Sequence, residues 1–322
     1  MSGHVAEESL FWFLIAETSF LTENRIEYFQ VYNLHRRRIP PLSPSGCFRS
    51  RISFQHALTF SSLRLRTQTN LLGGFGSSML IEIGHVEAIF RYPVKSMRGE
   101  RLEIAELGWH GLEGDRRLAF RRMDDRSGFP WLVASKLPDL LLFAPVHRDD
   151  GAEGNLPTHI RTPDGEEMPV FGDDLAREIG RRYGAPVQMM QLRHGIFDDA
   201  SISVIASDTV REITRLAERS PDVRRFRPNV VVRLLRSVPF QEDEWLGGVL
   251  SFGEGDDAPA ITVTMHDVRC SMVNFDPDSA SPAPEVLKAV VRANQNRAGI
   301  YGAVTRIGRL AVGQTIRLRR AE

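Results

Sequence analysis

Apolar and polar residues alternate in short runs over most of the chain, and Gly, Pro and Asp bound the runs. Ile83 to Tyr92 alternates loosely and stops at Pro93. Arg101 to Leu107 alternates and stops at Gly108. Arg117 to Met123 leads into the turn Asp124-Asp125-Arg126-Ser127-Gly128. A period of two predicts strands with one buried face. His159–Thr162 and Met168–Phe171 flank Pro163-Asp164-Gly165-Glu166, which predicts a hairpin. Asp173–Tyr183 breaks the alternation: Leu175, Ala176 and Ile179 share one face of a helix. Pro186–Leu192 returns to strand.

Beyond a soft boundary in 193–199 the mixture repeats. Ser201–Ala206 predicts a strand. Ser207–Arg219 predicts a helix with Ser207 as N-cap and Val210, Ile213 and Leu216 on one face. Val230–Leu234, Val249–Phe252, Ile261–Met265, Gly299–Val304 and Thr315–Arg319 read as strands, and Pro284–Asn294 as a helix. Many short strands with few helices predict a mainly β (α+β) fold: two β-barrel-like domains, 79–193 and 194–322.

Residues 1–78 carry a different pattern. Phe29 to Ser78 contains no Asp, Glu or Lys, but holds Arg36-Arg37-Arg38 and a Pro- and Ser-rich stretch. The segment reads as a disordered extension, as a transit peptide, or as sequence upstream of a natural start near Met79. The last is the expectation. With it goes a cytoplasmic location, mitochondrial targeting being the alternative. The longest early apolar run, Leu10 to Ala16, is too short to span a membrane.

Composition changes little. The 322 residues carry 41 basic and 41 acidic side chains, so no global field favours nucleic acid or an anionic membrane. Lysine occurs only at Lys95, Lys136 and Lys288. The two cysteines, Cys47 and Cys270, exclude a disulfide framework and cannot hold an iron–sulfur cluster.

Four polar clusters interrupt the β pattern. Tyr92-Pro93-Val94-Lys95-Ser96 places a cation and a hydroxyl at a strand end, where they could meet a phosphate. Gly111-Leu112-Glu113-Gly114-Asp115-Arg116 combines two turn-permitting glycines with an Asp able to orient Arg116. In Arg224-Arg225-Phe226-Arg227-Pro228-Asn229, an extended backbone would point Arg225 and Arg227 the same way. Pro239-Phe240-Gln241-Glu242-Asp243-Glu244-Trp245 reads as structural. A fifth feature is Cys270 itself. It follows Arg269, whose charge favours the thiolate that ligates or attacks, and precedes Asp276-Pro277-Asp278. Each cluster alone has a bland reading: an exposed lysine, a charged loop, an edge strand, a buried small hydrophobe.

Taken in order, the Y-P-V-K-S, G-L-E-G-D-R, R-F-R-P-N, P-F-x-E-D-E-W and R-C tracts resemble the MOSC family, the molybdenum-cofactor sulfurase C-terminal domain. The likeness is to its two-domain type with a preceding N-terminal β-barrel domain. That group includes the mitochondrial amidoxime-reducing component and its bacterial relatives. The resemblance implies a molybdenum–pterin cofactor, with Cys270 as catalytic residue and metal ligand. It implies cofactor contacts from Lys95, Ser96, Arg116, Arg227, Asn229 and Arg269. Soft thiolate ligation and a cationic setting suit such a group. The implied activity is an oxidoreductase acting on N-hydroxylated or N-oxide small molecules, with electrons from a separate donor protein. The alternatives are a sulfur carrier with a Cys270 persulfide, and a non-enzymatic cofactor-binding module. In the first, a cysteine desulfurase is the partner, and pyridoxal phosphate belongs to that partner. A metal site of His266, Asp267 and Cys270 is a further alternative, although its spacing is not that of a common zinc site. One departure stands out. The family shows K-P-C-x before R-C, where this chain has Met265-His266-Asp267-Val268.

Overall fold

A computed structural model describes residues 80–148, 155–195 and 199–320, all within one compact unit. The extension 1–78 and Cys47 lie outside the described residues. The first strands are β1 (Leu80–Arg91), β2 (Glu100–Leu102), β3 (Ile104–Gly108), β4 (Gly111–Leu112) and β5 (Leu118–Arg122). Then come β6 (Ala144–Val146), β7 (His159–Arg161), β8 (Glu167–Pro169), helix α1 (Asp173–Tyr183) and β9 (Val187–Gln191). The second half holds β10 (Ile202–Ala206), α2 (Ser207–Leu216), β11 (Val230–Leu234), β12 (Val249–Phe252) and β13 (Ala260–Val268). It closes with α3 (Glu285–Asn294), β14 (Arg297–Arg306), β15 (Gly308–Ala311) and β16 (Thr315–Arg319).

The predicted mainly β fold is present. Seven strands close a barrel in the order β11-β10-β14-β13-β12-β16-β1, and β1 pairs back onto β11. All pairs are antiparallel except β10 with β11. That exception follows from α2, which crosses from the end of β10 to the start of β11 as parallel pairing requires. The barrel takes β1 from the first half of the chain; irregularities of register between Glu82 and Gly84 and between Val86 and Ala88 let Ile83, Val86 and Ile89, three apart, face the same interior as Val204, Leu250 and Ile300. Ala105, Leu107 and Leu112 of β3 and β4 also join that core, whereas residues 118–187 pack a second one, where α1 lays Leu175 and Ile179 against Leu118, Phe120 and Val187 of the β5–β9 pair. A third cluster joins α2 and α3 through Val210, Ile213, Val286 and Val290.

Three local expectations change. The run 101–107 breaks at Glu103, because β2 pairs with β1 whereas β3 pairs with β15. The turn at 124–128 does reverse the chain: Arg121 bridges Trp131 antiparallel while β5 pairs with β9 on its other edge, and in the turn Asp125 accepts the Ser127 amide at 2.7 Å and pairs with Arg122. The N-cap of α2 is Ala206; Ser207 already lies in the first turn and makes no capping bond. β13 runs on to Val268, directly into the Arg269-Cys270 pair. Among the described residues no helix is long and apolar enough to cross a membrane.

Candidate functional site

β1 ends at Arg91, and the next residue begins the site. The Tyr92 amide donates to the Asp115 carboxylate at 2.7 Å, and the Arg116 amide donates to the Tyr92 carbonyl at 2.7 Å. These two bonds lock the Y-P-V-K-S and G-L-E-G-D-R segments together. Gly114 lets the second segment turn against Asn155. Its φ is +83°, and a Cβ there would come 2.6 Å from the Asn155 carbonyl oxygen. Asp115 also pairs with the Arg116 guanidinium. Burial alone would lower the Arg116 pKa, but the carboxylate beside it more than reverses this and holds the group cationic.

The R-F-R-P-N segment arrives from the barrel side. It is not extended: Val223–Phe226 is a 3₁₀ turn and Arg227 has φ +49°. The expected common direction of Arg225 and Arg227 therefore does not come from strand alternation; the left-handed residue re-aims the chain. Arg227 donates to the Met97 carbonyl at 2.8 Å. Its guanidinium lies 4.1 Å over the Tyr92 ring, with that of Arg116 at 5.0 Å. Arg116 in turn donates to the Arg227 carbonyl at 3.0 Å and to Asn229 at 3.3 Å. Asn229 is buried behind this layer. It accepts from the Ser203 amide at 3.1 Å and donates to the Phe90 carbonyl at 3.3 Å, so it braces β1 and β10 and does not face the cleft.

Arg269 enters at the end of β13. Nε donates to the Ala298 carbonyl and Nη1 to the Phe226 carbonyl, both at 2.7 Å, and Nη2 lies 2.9 Å from Asp267. Gly299 leaves room for it: φ is +85°, and an added Cβ would meet Arg269 at 3.1 Å and the Val204 carbonyl oxygen at 2.7 Å. Asp267 also accepts from Ser203 Oγ at 3.0 Å. Burial pushes its pKa up to about 6, against the pull of Arg269.

These segments enclose a cleft of ≈ 340 Å³ lined by Lys95, Ser96, Arg116, Arg227, Arg269 and Cys270. Six of the seven residues singled out in the sequence thus share one cavity, and Asn229 supports it from behind. Cys270 is exposed and free, in extended backbone ahead of a 3₁₀ turn, Ser271–Asn274. Lys95 is 5% exposed, with Nζ 5.5 Å from the Phe129 ring centre. Three of the lining residues, Ser96, Arg116 and Arg227, hold positive φ. Such backbone costs about 1–3 kcal/mol per residue and concentrates where function requires it.

Sequence reading named Arg225 and Tyr92 but gave neither its role. Arg225 lines the cleft and pairs with Asp276 at 2.6 Å, so the Asp276-Pro277-Asp278 turn is tied to the R-F-R-P-N segment. Asp278 pairs with Arg224. Tyr92 is the platform under two guanidiniums. Burial pushes its phenol pKa up to about 12, with Arg227 and Arg116 pulling the other way. The sequence carries a basic run at 224–227 and an acidic Asp276-Pro277-Asp278 turn, but only the fold pairs them. The idea of a His266–Asp267–Cys270 metal site fails. His266 turns to Asp243 at 3.1 Å while Asp267 turns inward, and no metal-holding group of three His, Cys, Asp or Glu occurs among the described residues. The reading of 239–245 as structural is supported by Glu242, buried and accepting from the Ala206 amide at 3.2 Å and Thr209 Oγ1 at 2.9 Å.

Comparison with known proteins gives two family matches in chain order. Residues 83–191 match the MOSC N-terminal beta barrel domain, and residues 190–317 match the MOSC domain. Among solved structures, the YUAD protein from Bacillus subtilis is 16% identical, with a TM-score of 0.42 over 76% of this chain and 100% of that one. YiiM from Geobacillus stearothermophilus is 19% identical, with a TM-score of 0.29 over 37% of this chain and 53% of that one. No curated protein matches the chain.

Proposed function

From a chain that belongs to the two-domain MOSC family, we propose a molybdenum–pterin oxidoreductase that reduces N-hydroxylated or N-oxide small molecules with electrons from a separate donor protein. The family is associated with molybdenum-cofactor binding. The observation that carries the reading is one cleft holding five cationic side chains, two carboxylates and an exposed thiol. That donor set fits a group that is anionic at its phosphate and dithiolene and takes a sulfur ligand at its metal.

Lys95, Arg116, Arg227 and Arg269 would hold the anionic parts, with Ser96 as a hydroxyl donor and Cys270 as metal ligand. Bound there, the group supplies two-electron oxygen-atom chemistry at the metal. The chain's own part is positioning. Arg269, Arg227 and Arg116 each spend at least one N–H on a backbone carbonyl, which fixes the guanidinium planes before any ligand arrives. The bonds to neutral carbonyls fix position without cancelling charge, although Asp115 pairs with Arg116 and offsets part of it. Asp267 meets Arg269 on the side of Ser203 and offsets part of that charge from behind. Asn229 holds Arg116 in line. The electron donor is proposed as a separate protein because two cysteines cannot ligate a cluster.

Metal and pterin analysis of protein made in a cofactor-competent host tests the reading. The expected result is about one molybdenum per chain in the wild type, and loss of metal with pterin retained in Cys270→Ala. Protein without molybdenum, or a Cys270→Ala variant that keeps it, would overturn the assignment. The exposure of Cys270 also favours a second reading, a persulfide carrier loaded by a cysteine desulfurase. Cyanide-releasable sulfur on the wild type but not on Cys270→Ser distinguishes it.

A further inference from the structure

His266 lies in the stretch Met265–Val268 that sets this chain apart within its family, and it does not line the cleft. We propose that neutral His266 is a positioning residue for Arg269 and Cys270, acting through the turn Asn294–Arg297, and that acid loosens this brace. The weight given to Cys270 rests on the reading above. The brace itself is read on protein without metal, so either can fail without the other.

The turn is the direct support. Both backbone groups of Arg269 are bonded to Asn296: the amide donates to the Asn296 carbonyl, and the carbonyl accepts from Asn296 Nδ2, each at 2.9 Å. Cys270 is the next residue. Asn296 does this from left-handed backbone, φ +67°, directly after Gln295 at φ +53°. Such a pair persists only where neighbours hold it. Asn294 Nδ2 donates to Asp243 at 2.7 Å, Arg297 Nη2 donates to the Gln295 side chain at 2.8 Å, and Arg297 Nη1 lies 3.1 Å from His266 Nε2. His266 Nδ1 lies 3.1 Å from Asp243. The imidazole therefore ties β13 to both ends of the turn, to Arg297 directly and to Asn294 through Asp243.

The partners fix the protonation state. A guanidinium has no acceptor, so Nε2 presents its lone pair to Arg297 and the ring proton sits on Nδ1, where it goes to Asp243. A second proton would set N–H against N–H and charge against charge at the Arg297 contact. It would strengthen the bond to Asp243, so the ring stays and Arg297 leaves. The other charges nearby are committed elsewhere. In the 3₁₀ segment Gln241–Trp245, Glu242 turns to Thr209 and Glu244 to Arg320. On β13 itself, Asp267 turns to Ser203 and Arg269. The His266 side chain is 21% exposed, so protons reach it from solvent.

Hydrogen exchange of the full chain without metal tests the brace, read as protection of the peptide around Arg269 and Cys270 relative to its intrinsic rate at each pH. His266→Gln keeps an acceptor and a donor but takes up no proton. Burial raises the Asp267 carboxyl into the same pH range, and its effect is common to both proteins. From about pH 8 to about pH 5, protection should therefore fall about 3–10-fold further in the wild type than in His266→Gln, the worth of one hydrogen bond. At about pH 8, His266→Ala should be less protected than the wild type by a similar factor, about 3–10-fold. Nitrogen-15 spectra of the wild type at that pH should place the His266 proton on Nδ1. Equal falls in wild type and His266→Gln, a His266→Ala as protected as the wild type, or a proton on Nε2 would each overturn the proposal. Molybdenum content, measured separately, decides the role of Cys270.

Discussion

Inside the barrel, Val204, Val232, Leu250, Phe252 and Ile300 are sealed among other apolar side chains. In the cleft beside it, Lys95, Arg225, Asp267 and Arg269 are almost as deeply buried. The two regions reach similar burial by different means. Apolar burial is non-directional and scales with area, so a barrel needs only residues of the right size on the right face. A buried charge needs partners at set distances, and Arg269 finds three: two carbonyls and a carboxylate. The barrel therefore gives the site rigidity, and the cleft gives it chemistry at a standing cost to stability.

Removing a charge from the cleft should break this contrast most severely. Arg269→Ala strands Asp267 and two carbonyls, and chemical denaturation should show a loss of about 3–5 kcal/mol; a loss under about 1 kcal/mol would mean the cluster is not structural. Leu250→Ala in the barrel should cost about 2–5 kcal/mol. Cofactor content should separate the two variants. Folded Leu250→Ala should keep its metal and pterin content per molecule, whereas Arg269→Ala should lose both even where it folds.

Glu242 sharpens the comparison, because it is a carboxyl buried without the cation that Asp267 has. Burial pushes its pKa from 4.5 up to about 7. The folded state then holds the proton longer than the unfolded state. Its contribution is fullest below about pH 4.5, declines as pH rises and is gone by about pH 7, a swing of about 3 kcal/mol. Glu242→Gln should remove that decline, and melting temperatures of both proteins between pH 4 and 8, on the order of half-unit steps, would show it. A wild type and variant with parallel profiles would refute the shift. At the small end, the exposed pair of Arg148 with Glu167 should contribute less than about 1 kcal/mol when removed by Arg148→Ala.

Periodicity alone located α1 at 173–183 and β16 at 315–319, the same limits the structure shows. It succeeded because an amphipathic element carries its pattern locally. It failed at β15, which lacks alternation, and at Glu103, where one apparent strand serves two sheets. The order of the polar tracts marked the candidate site, down to Lys95, Arg116, Arg227, Arg269 and Cys270. It could not mark Tyr92 as the shared platform, or Asp276 as the partner of Arg225, since those pairings join segments far apart in the chain.

The sequence by itself thus determined the mainly β class, most element positions, and the residue types that meet at the site. Those are matters of local pattern and composition. The tertiary structure alone decided that β1 joins the barrel, that Ser96, Arg116 and Arg227 turn through positive φ into one cleft, and that Tyr92 lies beneath two of its guanidiniums. Such facts depend on which distant segments pack together, and a residue in an unfavourable backbone conformation is held there only by neighbours that the chain's linear order does not show.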